Sequence, residues 1–396
     1  MSLNVLGLGG TGTLTLLSAS GRTDSQTLRR APVISKPTGP LRSRVAFAAA
    51  HVVPIRWANN VPGSPADIDW DATLAYRHHL WSWGLGVADA MDTAQRNMGL
   101  DSLATFELIR RSAAEARSVG GRLIVGVNTD HIEDEVVSLD EVVDAYVAQL
   151  HQAEDAGAEV VLMASRHLAR AANKADDYRY VYARVMAQSS SPVILHWLGG
   201  AFDPQLSSYF GNRDWQTASK ALLTIIEENE DRVRGVKMSL LEMDSEVWVR
   251  ARLPASVRMF TGDDFNYVEL IEGDGVRNSD ALLGAFTAIA PQASAAIRAL
   301  DADDVSSYRL LLGPTEALSR QIFSAPTYHY KTGIAFLSWL NGHQPAFSMV
   351  GGLHATRSLP HLSEIVRLAN NCGALEHPEL AADRWHALLD INGVLR

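Results

Sequence analysis

From Arg44 onward, short apolar runs alternate with longer stretches of helical period, and no other feature of this 396-residue chain constrains its fold as tightly. Apolar runs bounded by turn residues read as buried strands, and apolar residues every three to four positions read as helices. Strands are expected near 45–50, 87–91, 123–127, 160–164, 192–196, 233–237, 257–261 and 282–288. Helices are expected near 71–83, 102–118, 139–155, 176–188, 214–229, 242–251, 264–271 and 291–300. Eight strand–helix units in succession make a parallel sheet closed on itself, the α/β (β/α)8 TIM barrel, the economical solution. Residues 1–43 are read as an N-terminal hairpin and linker arm and 44–300 as the barrel. Residues 301–396 offer no convincing strand and are read as a helical C-terminal extension.

Composition enters as a filter. Hydrophobic residues at 47% and charged residues at 20% are ordinary for a globular protein of this length, so burial alone can hold the fold without a metal or disulfide staple. A formal charge of −10 provides no basic patch for phosphates, which argues against nucleic acid as a partner. A single cysteine, Cys372, forbids an intramolecular disulfide and suits a reducing compartment. The chain opens on no basic-then-apolar signal, and no uncharged apolar run reaches about 18 residues. A soluble, cytoplasmic protein without a membrane partner is expected.

The opening stretch "VLGLGGTGTL" places Gly7, Gly9 and Gly12 in the order G-x-G-x-x-G, the spacing of a loop that cradles a dinucleotide pyrophosphate. Such a loop needs a helix N-terminus aimed at the phosphates and an acidic residue further on. Asp24 is placed near the second requirement. However, the residues after Gly12 are "TLTLLSASG", alternating and β-rich with no helical period. The stretch reads as a hairpin of strands 3–8 and 13–18 turning at Gly9-Gly10, and no cofactor is expected. Residues 19–44, with Pro32, Pro37 and Pro40, read as a linker or an arm lying on a partner surface.

Chemistry in a parallel barrel sits at the C-terminal ends of the strands. Those positions hold His51, Asp92-Thr93, Asn128 with Asp130 and His131, Ser165 to His167, His196, Lys237 and Asp263-Asp264. Lys237 closes the apolar strand in "RVRGVKMSLLE", where desolvation lowers an amine's pKa and frees its lone pair for attack on a carbonyl. Equally, it can be a lysine ion-paired with Glu242 or Asp263. His196, one strand earlier, is a proton shuttle near neutral pH or a core histidine bonded to a carbonyl. Asp263 and Asp264 orient the lysine or substrate hydroxyls, or one of them caps a helix beginning at Phe265. The loop acids Asp130, Glu133 and Asp134 with His131 offer ligands for a divalent ion, or simply cap and solvate the loop. No H-E-x-x-H or C-x-x-C occurs, and no metal is assigned. His78-His79 falls mid-helix, where adjacent residues cannot both face one ligand, and reads as structural.

From about Arg44 to Leu300 the order of short motifs resembles the dihydrodipicolinate synthase / N-acetylneuraminate lyase family of Schiff-base aldolases. "RVAFAAAHVVP" stands where that family begins its barrel, and "DIDWDATLAYRHHLWSWGLGVADAMDT" is similar to its first helix and second strand. "AGAEVVLMASRH" resembles the fourth strand, "SPVILHW" the fifth, "VRGVKMS" the lysine strand, "MFTGDD" the seventh and "LLGAFTAIAPQASAAI" the eighth. The resemblance puts the family's Schiff-base lysine on Lys237. It also marks departures. His196 stands where the family has a proton-relaying tyrosine, and the arginine of its synthases is missing from "LGGAFDP". "AMDTAQRNMG" replaces the Gly-Thr-Thr-Gly-Glu loop that holds a keto-acid carboxylate, with Thr93 kept in kind and Asp92 repelling a carboxylate.

The expectation is therefore a lyase of aldolase or dehydratase type, not a true dihydrodipicolinate synthase. Lys237 and His196 are the catalytic pair, and Asp92, Thr93, Asn128, Asp130, His167 and Asp263 contact a carbonyl substrate derived from a sugar. One alternative is a metal-dependent sugar isomerase or lyase with Asp130, His131, His167, His196 and Asp263 as ligands. The other is a non-catalytic ligand-binding or assembly homologue. The arm at 1–44 and the apolar "IAFLSWL" at 334–340 suggest burial against another subunit, hence a homo-oligomer.

Overall fold

The computed structural model describes residues 12–394. Eight parallel strands form a closed barrel: β3 (Ala46–Ala49), β4 (Gly86–Asp89), β5 (Leu123–Val127), β6 (Glu159–Leu162), β7 (Val193–Leu198), β8 (Val233–Ser239), β9 (Arg258–Thr261) and β10 (Asp280–Leu283), with β10 hydrogen-bonded back to β3. An antiparallel pair, β1 (Thr13–Leu17) and β2 (Thr23–Thr27), precedes the barrel. The architecture is the (β/α)8 barrel with an N-terminal hairpin and C-terminal helices. The chain divides into two compact units, one of residues 44–50 and 86–284, the other of the described residues to 43 with 51–85 and 285 onward.

The first unit holds the barrel strands with α2 (Ser102–Val119), α3 (Leu139–Asp155), α4 (Arg166–Ala171), α5 (Ala175–Gln188), α6 (Trp215–Glu228), α7 (Met243–Arg250) and α8 (Tyr267–Glu272); α1 (Trp70–Ser82) lies in the second unit. Local sequence sets these helices. Asp101 caps α2 and Gly120 ends it in the left-handed conformation, while Ser138 and Glu141 form a reciprocal capping box on α3. Inside the barrel Phe47, Ala49, Ala88, Ile124, Val161, Met163, Ile194, Phe260 and Leu282 form one dry cluster. Each large member contributes about 1.5–3 kcal/mol by leaving water. Large and small residues interlock there: the ring of Phe260 fills the space that a Cβ on Gly235 would need, 2.7 Å from its Cε2.

The closing strand differs from the expected 282–288. It begins at Asp280 and ends at Leu283, and Ala285–Ala288 is helical (α9), leading to α10 (Ala290–Asp301). The reason lies in the seam. The buried Asp280 carboxylate accepts from Val45 N at 2.7 Å and ion-pairs with Arg258, an anchor that apolar patterning cannot register.

In the second unit β1 pairs with β2 in the register Thr13↔Thr27, so the strand partner of 13–18 lies downstream in the segment read as linker. The proposed strand 3–8 and the turn at Gly9-Gly10 lie outside the described residues. Gly12 leads into a strand, not the helix a pyrophosphate loop requires. Leu14 and Leu16 are buried, and β1 docks on α14 (Leu359–Cys372) and α15 (Pro378–Ile391). Trp385 Nε1 donates to Thr15 O at 2.7 Å, and Leu17 N donates to Ser363 Oγ at 2.7 Å. The remaining helices are α11 (Val305–Leu312), α12 (Thr315–Ile322) and α13 (Tyr330–Leu340), and α13 carries the "IAFLSWL" segment. Ile334, Ala335, Phe336, Leu337 and Leu340 are all inaccessible within this chain. The strand β1 of the arm and the "IAFLSWL" segment are thus packed against the protein's own helices, while much of 18–27 and Val33 stay exposed within this chain. No helix among the described residues is long and apolar enough to cross a membrane.

Candidate active site

The inward positions of the strands change character toward their C-terminal ends. Side chains alternate along a strand, so Ile194 in the core cluster places His196 on the same face, and Gly235 does the same for Lys237 and Ser239. The β7–β8 register pairs His196 with Lys237 directly. His196 Nε2 lies 3.1 Å from Ser239 Oγ, which fixes all three side chains in one cluster.

Lys237 is 5% exposed, and no described residue hydrogen-bonds or ion-pairs with its amine. The two partners weighed from sequence are engaged elsewhere. Glu242 accepts from Trp215 Nε1 at 2.9 Å, and Asp263 accepts from Phe265 N at 2.9 Å and Asn266 N at 3.1 Å. Burial lowers the Lys237 pKa from the usual lysine value, and the negative charges of Asp92 and Asp264 oppose that shift in part. His196 is fully buried, and its Nδ1 has no hydrogen-bond partner among the described residues. Burial, then the neighbouring Lys237 charge, holds its pKa well below the usual histidine value, against a smaller upward pull from Asp92. The imidazole is therefore harder to protonate than a solvated histidine.

Gly262, which precedes the acid pair at the end of the seventh barrel strand, is what lets the lysine extend. A Cβ there would stand 2.7 Å from Lys237 Cε and collide with Ser239 Oγ. Only a hydrogen leaves room for the arm. Asp263 builds the turn before α8, which starts at Tyr267 rather than at Phe265, and Asp264 is the acid felt by the lysine.

Other predicted residues are distributed unevenly. Asp92 opens a short 3-10 turn after β4, followed by the buried Thr93, and its charge reaches both Lys237 and His196. In the same loop Ala90, Gln95 and Asn97 adopt positive φ of 49°, 69° and 60°, backbone strain that the surrounding structure must hold in place. Asn128 turns its Oδ1 back onto Thr129 N at 2.7 Å. Thr129 Oγ1 bridges Ser165 Oγ at 2.6 Å and His167 Nδ1 at 2.8 Å, so His167 belongs to a buried polar chain across the ends of β5 and β6. Asp130 is absorbed by Arg96, whose Nε donates to Asp130 Oδ2 at 2.8 Å, and by Gln149 Nε2 at 3.0 Å. Burial pushes the Asp130 carboxyl upward, but the Arg96 charge and these hydrogen bonds outweigh it and hold its pKa at about 2. Among the described residues Asp130, His131, His167, His196 and Asp263 do not gather into a metal-binding group.

Sequence reasoning also missed Glu246. Its buried carboxyl accepts from Ser279 Oγ at 2.7 Å, and burial, with Asp263 adding to the effect, pushes its pKa up to about 8. An isolated glutamate on an amphipathic helix gives no signal of this. A recess of about 760 Å³ opens at the other end of the barrel, lined by residues such as Glu159, Pro192 and Arg234, and brings together no comparable group of reactive side chains. The reactive groups sit at the C-terminal strand ends.

A family profile described as a protein of unknown function, DUF993, matches residues 14–394. The chain belongs to that family. No curated protein matches this DUF993 sequence. Among solved structures it is similar to dihydrodipicolinate synthase from Aquifex aeolicus, at 14% identity and a TM-score of 0.60, covering 89% of this chain and 98% of that one. The enzyme of the same name from Bacteroides thetaiotaomicron gives 16% and 0.61, covering 83% and 98%. The 4-hydroxy-tetrahydrodipicolinate synthase from Methylacidiphilum fumariolicum gives 15% and 0.61, covering 89% and 99%. At these identities the likeness establishes the fold of this DUF993 protein and leaves its chemistry to the site.

Proposed function

We propose that this protein is a Schiff-base-forming lyase of the aldolase or dehydratase type. The observation that carries the reading is Lys237 itself: a buried amine, without an ion-pair partner among the described residues and with a lowered pKa, at the C-terminal end of a barrel strand. Its lone pair attacks the substrate carbonyl carbon to give a carbinolamine. Proton transfer to the carbinolamine oxygen expels water and leaves an iminium. The iminium then takes electrons by one of two routes. A C–C bond breaks with loss of the β-hydroxyl proton and release of a carbonyl fragment, leaving an enamine that takes up a proton at carbon. Alternatively a C–H bond breaks, its proton passes to a base, and the enamine expels a β-hydroxyl as water. Hydrolysis of the final iminium returns the free lysine. His196, with Ser239 Oγ beside its Nε2, is the proposed group for passing the proton.

The acids Asp92 and Asp264 bear on the lysine, which disfavours a carboxylate beside the carbonyl and suits hydroxyl groups. A polyhydroxylated, sugar-derived keto compound is the proposed substrate class. Turnover confined to unmodified keto acids would remove that part of the proposal. A cytoplasmic location and a homo-oligomeric state are proposed alongside. Fractionation and light scattering test them.

The experiment is reductive trapping. Incubation with keto acids and keto-sugars followed by borohydride should leave one covalent adduct, mapped by peptide mass to Lys237, and Lys237→Ala should leave none. The carbonyl that gives the adduct names the substrate class. No adduct from any carbonyl would overturn the lysine mechanism, and ligand binding without turnover in either protein would favour a non-catalytic homologue.

A further inference from the structure

We propose that His79, His343 and Glu376 form a zinc site that fastens the C-terminal end of α1 to the two segments flanking α14. Their ligand atoms all lie within 4.8 Å of one another, and among the described residues this is the group of histidines and carboxylates that gathers so. Glu376 Oε1 stands 2.8 Å from His343 Nε2 and 3.6 Å from His79 Nε2. Ligands about 2.0–2.1 Å from a tetrahedral zinc are about 3.4 Å apart. The His79 spacing is therefore already that of a metal-loaded site, and the His343–Glu376 hydrogen bond has to open by only about half an ångström.

The pairing of His78 with His79 in sequence hid this. Only His79 belongs to the cluster; His78 packs edge-on against Trp81, 5.2 Å between ring centres. The ligands are held before any ion arrives. Tyr76 stacks parallel to the His79 ring at 5.9 Å and lies 5.2 Å from His343, with its hydroxyl donating to Thr287 O at 2.6 Å. Asn341 ties the two distal ligand segments together, its Nδ2 donating to Ala374 O at 2.9 Å and its Oδ1 accepting from Glu376 N at 3.0 Å. The main-chain N–H of His343 donates to Ser338 O at 3.0 Å and fixes the backbone that carries this ligand. Such outer supports are what orient ligands in metal sites.

The donor set decides the metal. Two imidazoles and one carboxylate suit a borderline divalent ion and not the all-oxygen shells of calcium or magnesium. With side chains 15–20% exposed, the site admits water as a fourth ligand. The linked segments are distant in sequence, so the ion would hold α1 against the start of α15 and stabilise the folded chain by mass action. Lys237 takes no part, so this inference stands or falls separately from the proposed lyase chemistry.

Tag-free full-length protein, stripped with a chelator, is titrated with Co2+ and then with Zn2+. One Co2+ per chain with the intense visible bands of four-coordinate cobalt, displaced by zinc, is expected, together with a higher Tm in zinc. His343→Ala and Glu376→Gln should each weaken binding at least about 100-fold, while His131→Ala binds as the parent does. X-ray absorption of the zinc form should show two imidazoles, a readout that needs no variant. Absence of stoichiometric metal, six-coordinate cobalt, or unchanged binding in the two ligand variants would overturn the proposal.

Discussion

The inside of this barrel is two regions joined along the same strands. Its middle, with Ile124, Ile194 and Phe260, is wholly apolar and inaccessible. One step further along, at Asn128, His196 and Lys237, the same face is polar and still buried. Burying the first set stabilises the fold in proportion to area. Burying the second opposes folding, because an amine and an imidazole lose their hydration without gaining full partners. Buried groups of this kind cluster at functional sites in proteins generally, and the strained loop of Ala90, Gln95 and Asn97 lies at the same end.

Substitutions on either side test that contrast. Ile124→Ala should cost about 2–5 kcal/mol in urea unfolding, because a cavity replaces close packing, while borohydride still traps Lys237 in the folded protein. Unchanged stability would deny the apolar layer its role. Gly262→Ala should cost about 1–3 kcal/mol by overpacking and slow adduct formation at least about tenfold, since the added methyl takes the space of Lys237 Cε and Ser239 Oγ. An adduct formed at the parent rate would show that the lysine arm does not need that space.

Lys237→Met should have the smallest effect on stability and the opposite sign, a gain of about 0.5–2 kcal/mol at neutral pH. Its pH dependence is the sharper readout. The folded amine loses its proton at a lower pH than the unfolded one, so between the two pKa values the unfolded chain binds more protons. Parent stability therefore rises with pH through that window. Met lacks the rise, so its advantage should shrink as pH increases, as followed by urea titrations across the range. A constant difference would mean that Lys237 is not desolvated.

Much of the frame was legible. The strand 123–127 was read to the residue, and the other barrel strands except the closing one lie within a few residues of their expected places because a buried parallel strand is a continuous apolar run between turns. Lys237 and His196 were legible for the same reason: polar residues at the end of such runs stand out. The hairpin partner was not, since Thr23–Thr27 is polar and its strand character comes from pairing with β1. Nor was the start of β10, where an aspartate serves the seam and breaks the apolar pattern. Not legible either were the partners of Asp130 and Asp263, which are Arg96 and the backbone at Phe265 and Asn266, all set by the folded chain.

The sequence by itself determined the alternation of strands and helices, the order of the barrel units and the lysine at the end of its strand. These features arise from the periodicity of side chains along a chain, which is a local property. Only the tertiary structure decided which acids bear on Lys237, that His196 lies beside Ser239, that Gly262 leaves space for the lysine arm, and that His79 meets His343 and Glu376. Charge, burial and ligand geometry depend on distances across space. Residues far apart in the chain acquire those distances only when the fold brings them together.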